Sequence, residues 1–247
     1  MRSWGGSSFC VRARQVGIVL LTSLATWPAP VHAAPEDIPP ELEAILAEIE
    51  SGDFQIRMLA CRKLRKKAGL WLPTGDEESG GPSMATAGGG STTSKMIHFF
   101  DLALEDKSQN VIRAAMRAAV EVPLPPVWAH LKQVIQRERG AHVTALTRVI
   151  GVQAFTELSK KLAKKSASPG MSVTTVSAAN QLGVVLTTDP STSVRAAAAT
   201  GLGDLGDPKG VEILEDALVT ETSPLVTRAI EVSLVDLTGT FDVCLPL

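Results

Sequence analysis

The chain contains no tyrosine and only three cysteines, and aromatic residues make up 4% of it. So few aromatic faces leave few platforms on which nucleobases could stack. No HExxH or CxxC spacing, glycine-rich phosphate loop, serine elbow or closely set acid pair in a convincing setting occurs, so the sequence offers no catalytic, metal-binding or cofactor-binding constellation. His98, His130 and His142 are scattered along it, which is a poor basis for a metal site. Long hydrophobic runs are missing too. The most apolar stretch, 16–27, has about 12 residues where a membrane-spanning helix needs about 20, so no transmembrane segment is expected.

What is present is helical punctuation, clearest over 189–218, DPSTSVRAAAATGLGDLGDPKGVEILEDAL. Pro190 cannot continue a helix, and Ser191 or Thr192 can turn an oxygen onto the free N–H groups of the turn that follows. Val194, Ala197, Ala198, Leu202 and Leu205 then share one helical face. Gly206 suits a left-handed helix end, Asp207 can cap the next helix, and Pro208 fits its first position. Val211, Leu214 and Leu218, with Ile213 beside them, form the second apolar stripe, while Glu212, Glu215 and Asp216 point to water. Gly201 and Gly203 each cost a helix roughly 1 kcal/mol; close approach of a neighbouring helix explains their presence. The segment reads as two short antiparallel helices.

These residues resemble the HEAT-repeat family, in particular its bacterial members, with Asp189, Pro190, Val194, Arg195, Leu202, Gly203, Leu205, Gly206, Asp207 and Pro208 in place. The resemblance implies an all-α solenoid of antiparallel hairpins and a ladder between repeats in which Arg195 and Asp207 are structural. Weaker copies follow from the same pattern, since one hairpin cannot bury its own apolar face. NVIRAAMRAA from Asn110, with Arg113, precedes a second helix that begins near Pro125 and Pro126 and turns Trp128, Leu131 and Ile135 inward. DFQIRMLACRKLRKK from Asp53 supplies another first helix around Arg57, behind an N-terminal capping helix, PPELEAILAEIE. SPLVTRAIEVSLVDLTG from Ser223 places Arg228 thirty-three residues after Arg195 and offers Val226, Ile230, Leu234 and Leu237 for burial. About five repeats over 34–240 are expected. Between Arg148 and Arg195 the spacing is irregular: 141–165 reads as a hairpin broken near Gly151 or as one long helix, and the hairpin is expected because Val149, Ile150, Gly151 and Val152 make a poor helix interior. VSAANQLGVVL from Val176 reads as a first helix lacking its partner. The polar, glycine-rich stretch 69–94 is expected to be a disordered loop insertion, and 241–247 a C-terminal tail.

Residues 1–33 read as a cleaved secretory signal peptide. Arg2, Arg12 and Arg14 precede the apolar run, and Val31, His32 and Ala33 fit a small-residue cleavage site, giving a periplasmic or secreted protein. Losing those three arginines lowers the 24 basic residues to 21 against 26 acidic ones and takes the net charge from −2 to −5. A general nucleic-acid role needs the opposite sign. Cys61 and Cys244 remain in an oxidising compartment, but an open stack holds them farther apart than the ~7 Å between Cα atoms that a disulfide tolerates. Cys61 is expected to be a core residue. The basic run RKLRKK (62–67) and the lysine doublets at 160–161 and 164–165 are read first as solvated, dipole-complementing helix ends, with anionic lipid or an acidic partner as the alternative.

The expected role is a non-enzymatic scaffold that binds a protein or peptide along its second helices, which in HEAT-like solenoids usually line the concave side. That resemblance makes Lys132, Gln136, Glu212 and Glu215 the expected partner contacts. Some relatives with such repeats resemble phycobilin lyases, so an enzyme subunit holding a small ligand in the solenoid hollow is the alternative.

Overall fold

The protein is described from a computed structural model over residues 38–72, 89–136, 143–165 and 175–239. The chain divides into Met1–Ala34 and Pro35–Leu247, and every described residue belongs to the second unit. The segment expected to be a signal peptide, Cys10, His142, Cys244 and the expected tail lie outside the described residues.

Ten helices and no strand occur among those residues: α1 (Pro40–Ile49), α2 (Phe54–Trp71), α3 (Gly89–Leu104), α4 (Gln109–Ala119), α5 (Pro125–Ile135), α6 (Ala145–Lys165), α7 (Thr175–Thr188), α8 (Thr192–Leu205), α9 (Lys209–Thr220) and α10 (Pro224–Thr238). They alternate between two layers. In one, α2 packs on α4, α4 on α6, α6 on α8 and α8 on α10; in the other, α1 packs on α3, α3 on α5 and α7 on α9. This is an all-α solenoid of stacked hairpins: α2–α3, α4–α5, α6–α7 and α8–α9 are the units, α10 opens a fifth, and α1 starts the second layer.

The core lies between the layers and follows the apolar stripes. Val194, Ala198 and Leu202 of α8 and Val226, Ile230 and Leu234 of α10 are buried, as are Leu131 and Ile135 of α5. Trp128 is half-buried, its indole N–H donates to Ser159 Oγ at 2.8 Å, and its ring lies 5.0 Å from that of Phe155. Gly206 ends α8 at φ 67°, the left-handed conformation that glycine adopts without strain. The helix-start chemistry differs from expectation. Ser191 precedes α8 without a side-chain cap bond; instead the Asp189 carboxylate accepts the Ser191 N–H at 2.8 Å. Asp207 acts as expected, accepting the Lys209 N–H at 2.9 Å.

Three expectations about organisation are corrected. The 141–165 stretch is not a broken hairpin, because α6 runs unbroken through Gly151. A Cβ at that glycine would stand 2.9 Å from Ile135 and 3.2 Å from Met116, so packing against α4 and α5 overrides the weak local propensity. Consequently α7 is a second helix, the partner of α6, and the 47 residues from Arg148 to Arg195 are one enlarged repeat. Finally, α2 extends through Trp71 and α3 begins at Gly89, so helices take both ends of the stretch expected as loop 69–94. Its centre, 73–88, lies outside the described residues.

Candidate functional site

Much of the charge in this stack serves its own architecture. Arg57 bonds Asp106 through Nε and, at 3.1 Å, Nη2; Arg148 holds Asp189 with bonds of 2.8 and 2.9 Å; Arg195 holds Glu221 with bonds of 2.8 and 3.0 Å. Each is a two-pronged guanidinium–carboxylate pair, and each carboxylate also accepts an N–H from the residue just before the next first-layer helix: Ser108, Ser191 and Ser223. The arginine thus ties the start of its own hairpin to the start of the following one. Through its bond to Arg195, the Glu221 carboxyl is lowered to about 2; that bond raises Arg195, as the bond to Asp106 raises Arg57.

The ladder exists, but with other rungs than expected. Arg195 pairs with Glu221 and not with Asp207, whose carboxylate takes the Thr175 hydroxyl and the Lys209 N–H. Arg228 is not on the ladder. Its side chain is 77% exposed and, among the described residues, pairs with Glu231 of its own helix, at 3.5 Å. Counted from the residue before each helix, Ser191 to Ser223 is 32 residues, so Thr227 takes the ladder position and Arg228 falls one step around the helix. Ile112 holds that position in α4 for the same reason, leaving Arg113 outside. There the junction to α6 is made by Gln109, whose Oε1 accepts the Thr144 N–H and the Thr147 hydroxyl, the latter at 2.7 Å.

The four expected partner contacts share a layer without converging. Lys132 belongs to α5, and Gln136 follows it and donates to Gln181 of α7 at 2.5 Å. Glu212 and Glu215 are exposed on α9, with Glu212 paired to Lys209. α7 stands between the two pairs.

The basic run of α2 is split by its helical faces. Lys63 and Lys67 turn toward α1, pairing with Glu48 and Glu41, whereas Arg62, Arg65 and Lys66 are exposed and have no carboxylate partner among the described residues. Opposite them α4 presents Arg113 and the exposed Arg117. Two recesses result. One of about 330 Å³ is lined by Arg62, Arg65, Asn110, Arg113 and Arg117 with Met58 and Ala114. The other, of about 560 Å³, is lined by Leu59, Arg62, Lys63, Arg65, Lys66 and Glu121. Arg113 is oriented by bonds to the Gln109 carbonyl and to Asn110 Oδ1 at 2.6 Å. Sequence reasoning missed this juxtaposition, although Arg113 and Arg117 stand four apart, the spacing that puts two side chains on one face.

The remaining expected groups are accounted for by ordinary contacts. Cys61 is fully buried, and burial pushes its thiol up to about 12. His98 is exposed, while His130 Nε2 lies 3.2 Å from Asp101. Lys160 and Lys161 reach Glu157 and Glu121. Among the described residues no three His, Cys, Asp or Glu side chains are grouped to hold a metal ion, and no helix is long and apolar enough to cross a membrane.

No curated protein matches the chain. The family model for HEAT repeats matches residues 164–235, from the last turn of α6 into α10. Over residues 164–235 the chain thus carries HEAT repeats, and hairpins stacked on the same two-layer plan continue them upstream.

Proposed function

We propose that the protein is an exported, non-enzymatic scaffold of the cell envelope that binds a protein or peptide partner. HEAT repeats are a scaffold for protein interaction, and the observation that carries the reading is the two-layer stack itself. Each helix contributes a few exposed side chains to a continuous surface, which suits an extended partner at modest cost per repeat. The titratable groups with the strongest architectural roles are spent on the ladder, and Cys61 is sealed in the core. Lys132, Gln136, Glu212 and Glu215 are the proposed contacts on the second layer. Export rests on the arginines, apolar run and small residues of 1–33.

Photo-crosslinking tests the binding reading. A benzophenone side chain placed at Lys132, at Glu215 and at the first-layer residue Arg65 should give a discrete adduct from at least one site in the native host. Three sites without an adduct would remove the support for a scaffold. Intact mass of the protein recovered from its compartment tests export, which requires loss of the segment ending near Ala33.

A further inference from the structure

We infer that the recess between α2 and α4 seats an acidic peptide segment of the partner, an assignment that rests on the scaffold reading and names the partner's chemistry. Arg62 and Arg65 from one helix and Arg113 and Arg117 from the next line a single concavity with no carboxylate on its described walls. Like charges brought together in this way repel, and other basic side chains of the stack are placed to avoid it. Arg57, Arg148 and Arg195 each hold an acid, and Lys63 and Lys67 of the same helix are paired. Guanidinium forks left without a carboxylate partner match acids two bonds at a time. Asn110 adds a neutral hydrogen-bonding group, and the neighbouring recess brings the exposed Leu59, so the seat is suited to Asp and Glu side chains flanking one apolar residue.

Shape and extent favour a peptide over other polyanions. A bilayer meets protruding groups on a broad face, whereas these cations line recesses of about 330 and 560 Å³. A nucleic-acid duplex needs a basic track along the stack, yet in the same layer α8 and α10 expose Asp204 and Asp236. The arginine cluster is confined to α2 and α4. That length suits a short extended segment.

The test uses the full chain and four probes: a fluorescent Glu/Asp-rich peptide with one central leucine, its Gln/Asn counterpart, a DNA duplex, and phosphatidylserine vesicles. The acidic peptide should bind, and Arg65→Glu with Arg117→Glu should weaken it at least tenfold in a protein that keeps its helical circular dichroism. Lys164→Glu with Lys165→Glu, exposed at the end of α6, should leave binding within twofold. Equal losses in the two variants, equal affinity for the Gln/Asn peptide, or tighter binding of duplex or vesicles would overturn the assignment. The crosslinking readout separates the two ideas: a partner still captured at Lys132 or Glu215 by a chain that ignores the acidic peptide would retain the scaffold and discard this seat.

Discussion

At the scale of single residues, the ladder arginines differ in how deeply they are set, and this decides what each is worth. Arg148 and Asp189 are both almost completely buried, so truncating one strands the other's charge away from water. Arg148→Ala should destabilise the fold by about 3–5 kcal/mol, read as a lowered urea midpoint. Glu221 behaves differently because its acid is the informative partner. The bond from Arg195 lowers its carboxyl from 4.5 to about 2 in the folded chain, so the folded state holds the charged form more tightly than the unfolded one does. The associated stability is complete above the unfolded value near 4.5 and drains away as pH falls toward 2. Glu221→Gln should therefore lower the thermal midpoint at neutral pH and flatten its decline between pH 4.5 and 2. A decline as steep as in the parent protein would place the acid sensitivity elsewhere. Cys61 should resist alkylation at pH 8 in the native protein and react once urea unfolds it, since a buried thiol held near 12 supplies almost no thiolate.

Within and between helices, glycine separates positions that need open space from positions that merely lack a side chain. A Cβ on Gly203 of α8 would stand 2.9 Å from Ser233 Cβ and 3.2 Å from its Cα in α10, and backbone cannot step aside. Gly203→Ala should cost about 1–3 kcal/mol through overpacking. Gly69, near the end of α2, has nothing within 4 Å of the same atom, so Gly69→Ala should add about 0.5–1 kcal/mol by removing backbone freedom from the unfolded chain. Chemical denaturation of the two variants checks both signs together. The same contrast shows what was legible in the sequence. Hairpin α8–α9 was readable from Pro190, Gly206 and Pro208 because its boundaries are local chemistry. Helix α6 was not, because Gly151 is tolerated only through Ile135 and Met116, which arrive from other helices. Arg228 was misplaced because a 33-residue count aligns arginines, whereas the solenoid aligns helix starts at 32. For the candidate site, RKLRKK was visible, but its division into paired and unpaired faces depends on where Glu41, Glu48 and α4 stand.

Over the whole molecule, charge is distributed as though stability had been given up at one place. The full chain has a net charge of −2, so cations scattered at random would find acids nearby, as the ladder arginines and five of the eleven lysines do. Arg62, Arg65, Arg113 and Arg117 instead face one another across α2 and α4. Like-charged neighbours on helix surfaces cost a few tenths of a kcal/mol per pair, and neutralising one member should return that energy. Arg117→Gln should raise the thermal midpoint by about one degree at low ionic strength, given that ~1 kcal/mol shifts a domain of this size by about 2–4 °C. The gain should vanish in 1 M salt, where the Debye length falls to about 3 Å. Lys95→Gln, on α3 with no lysine or arginine three or four positions away, should show neither effect. Differential scanning fluorimetry of the parent and both variants across a salt series decides the matter. A salt-independent change in Arg117→Gln would mean that the arginine acts by packing, and the strained cation cluster would lose its energetic basis.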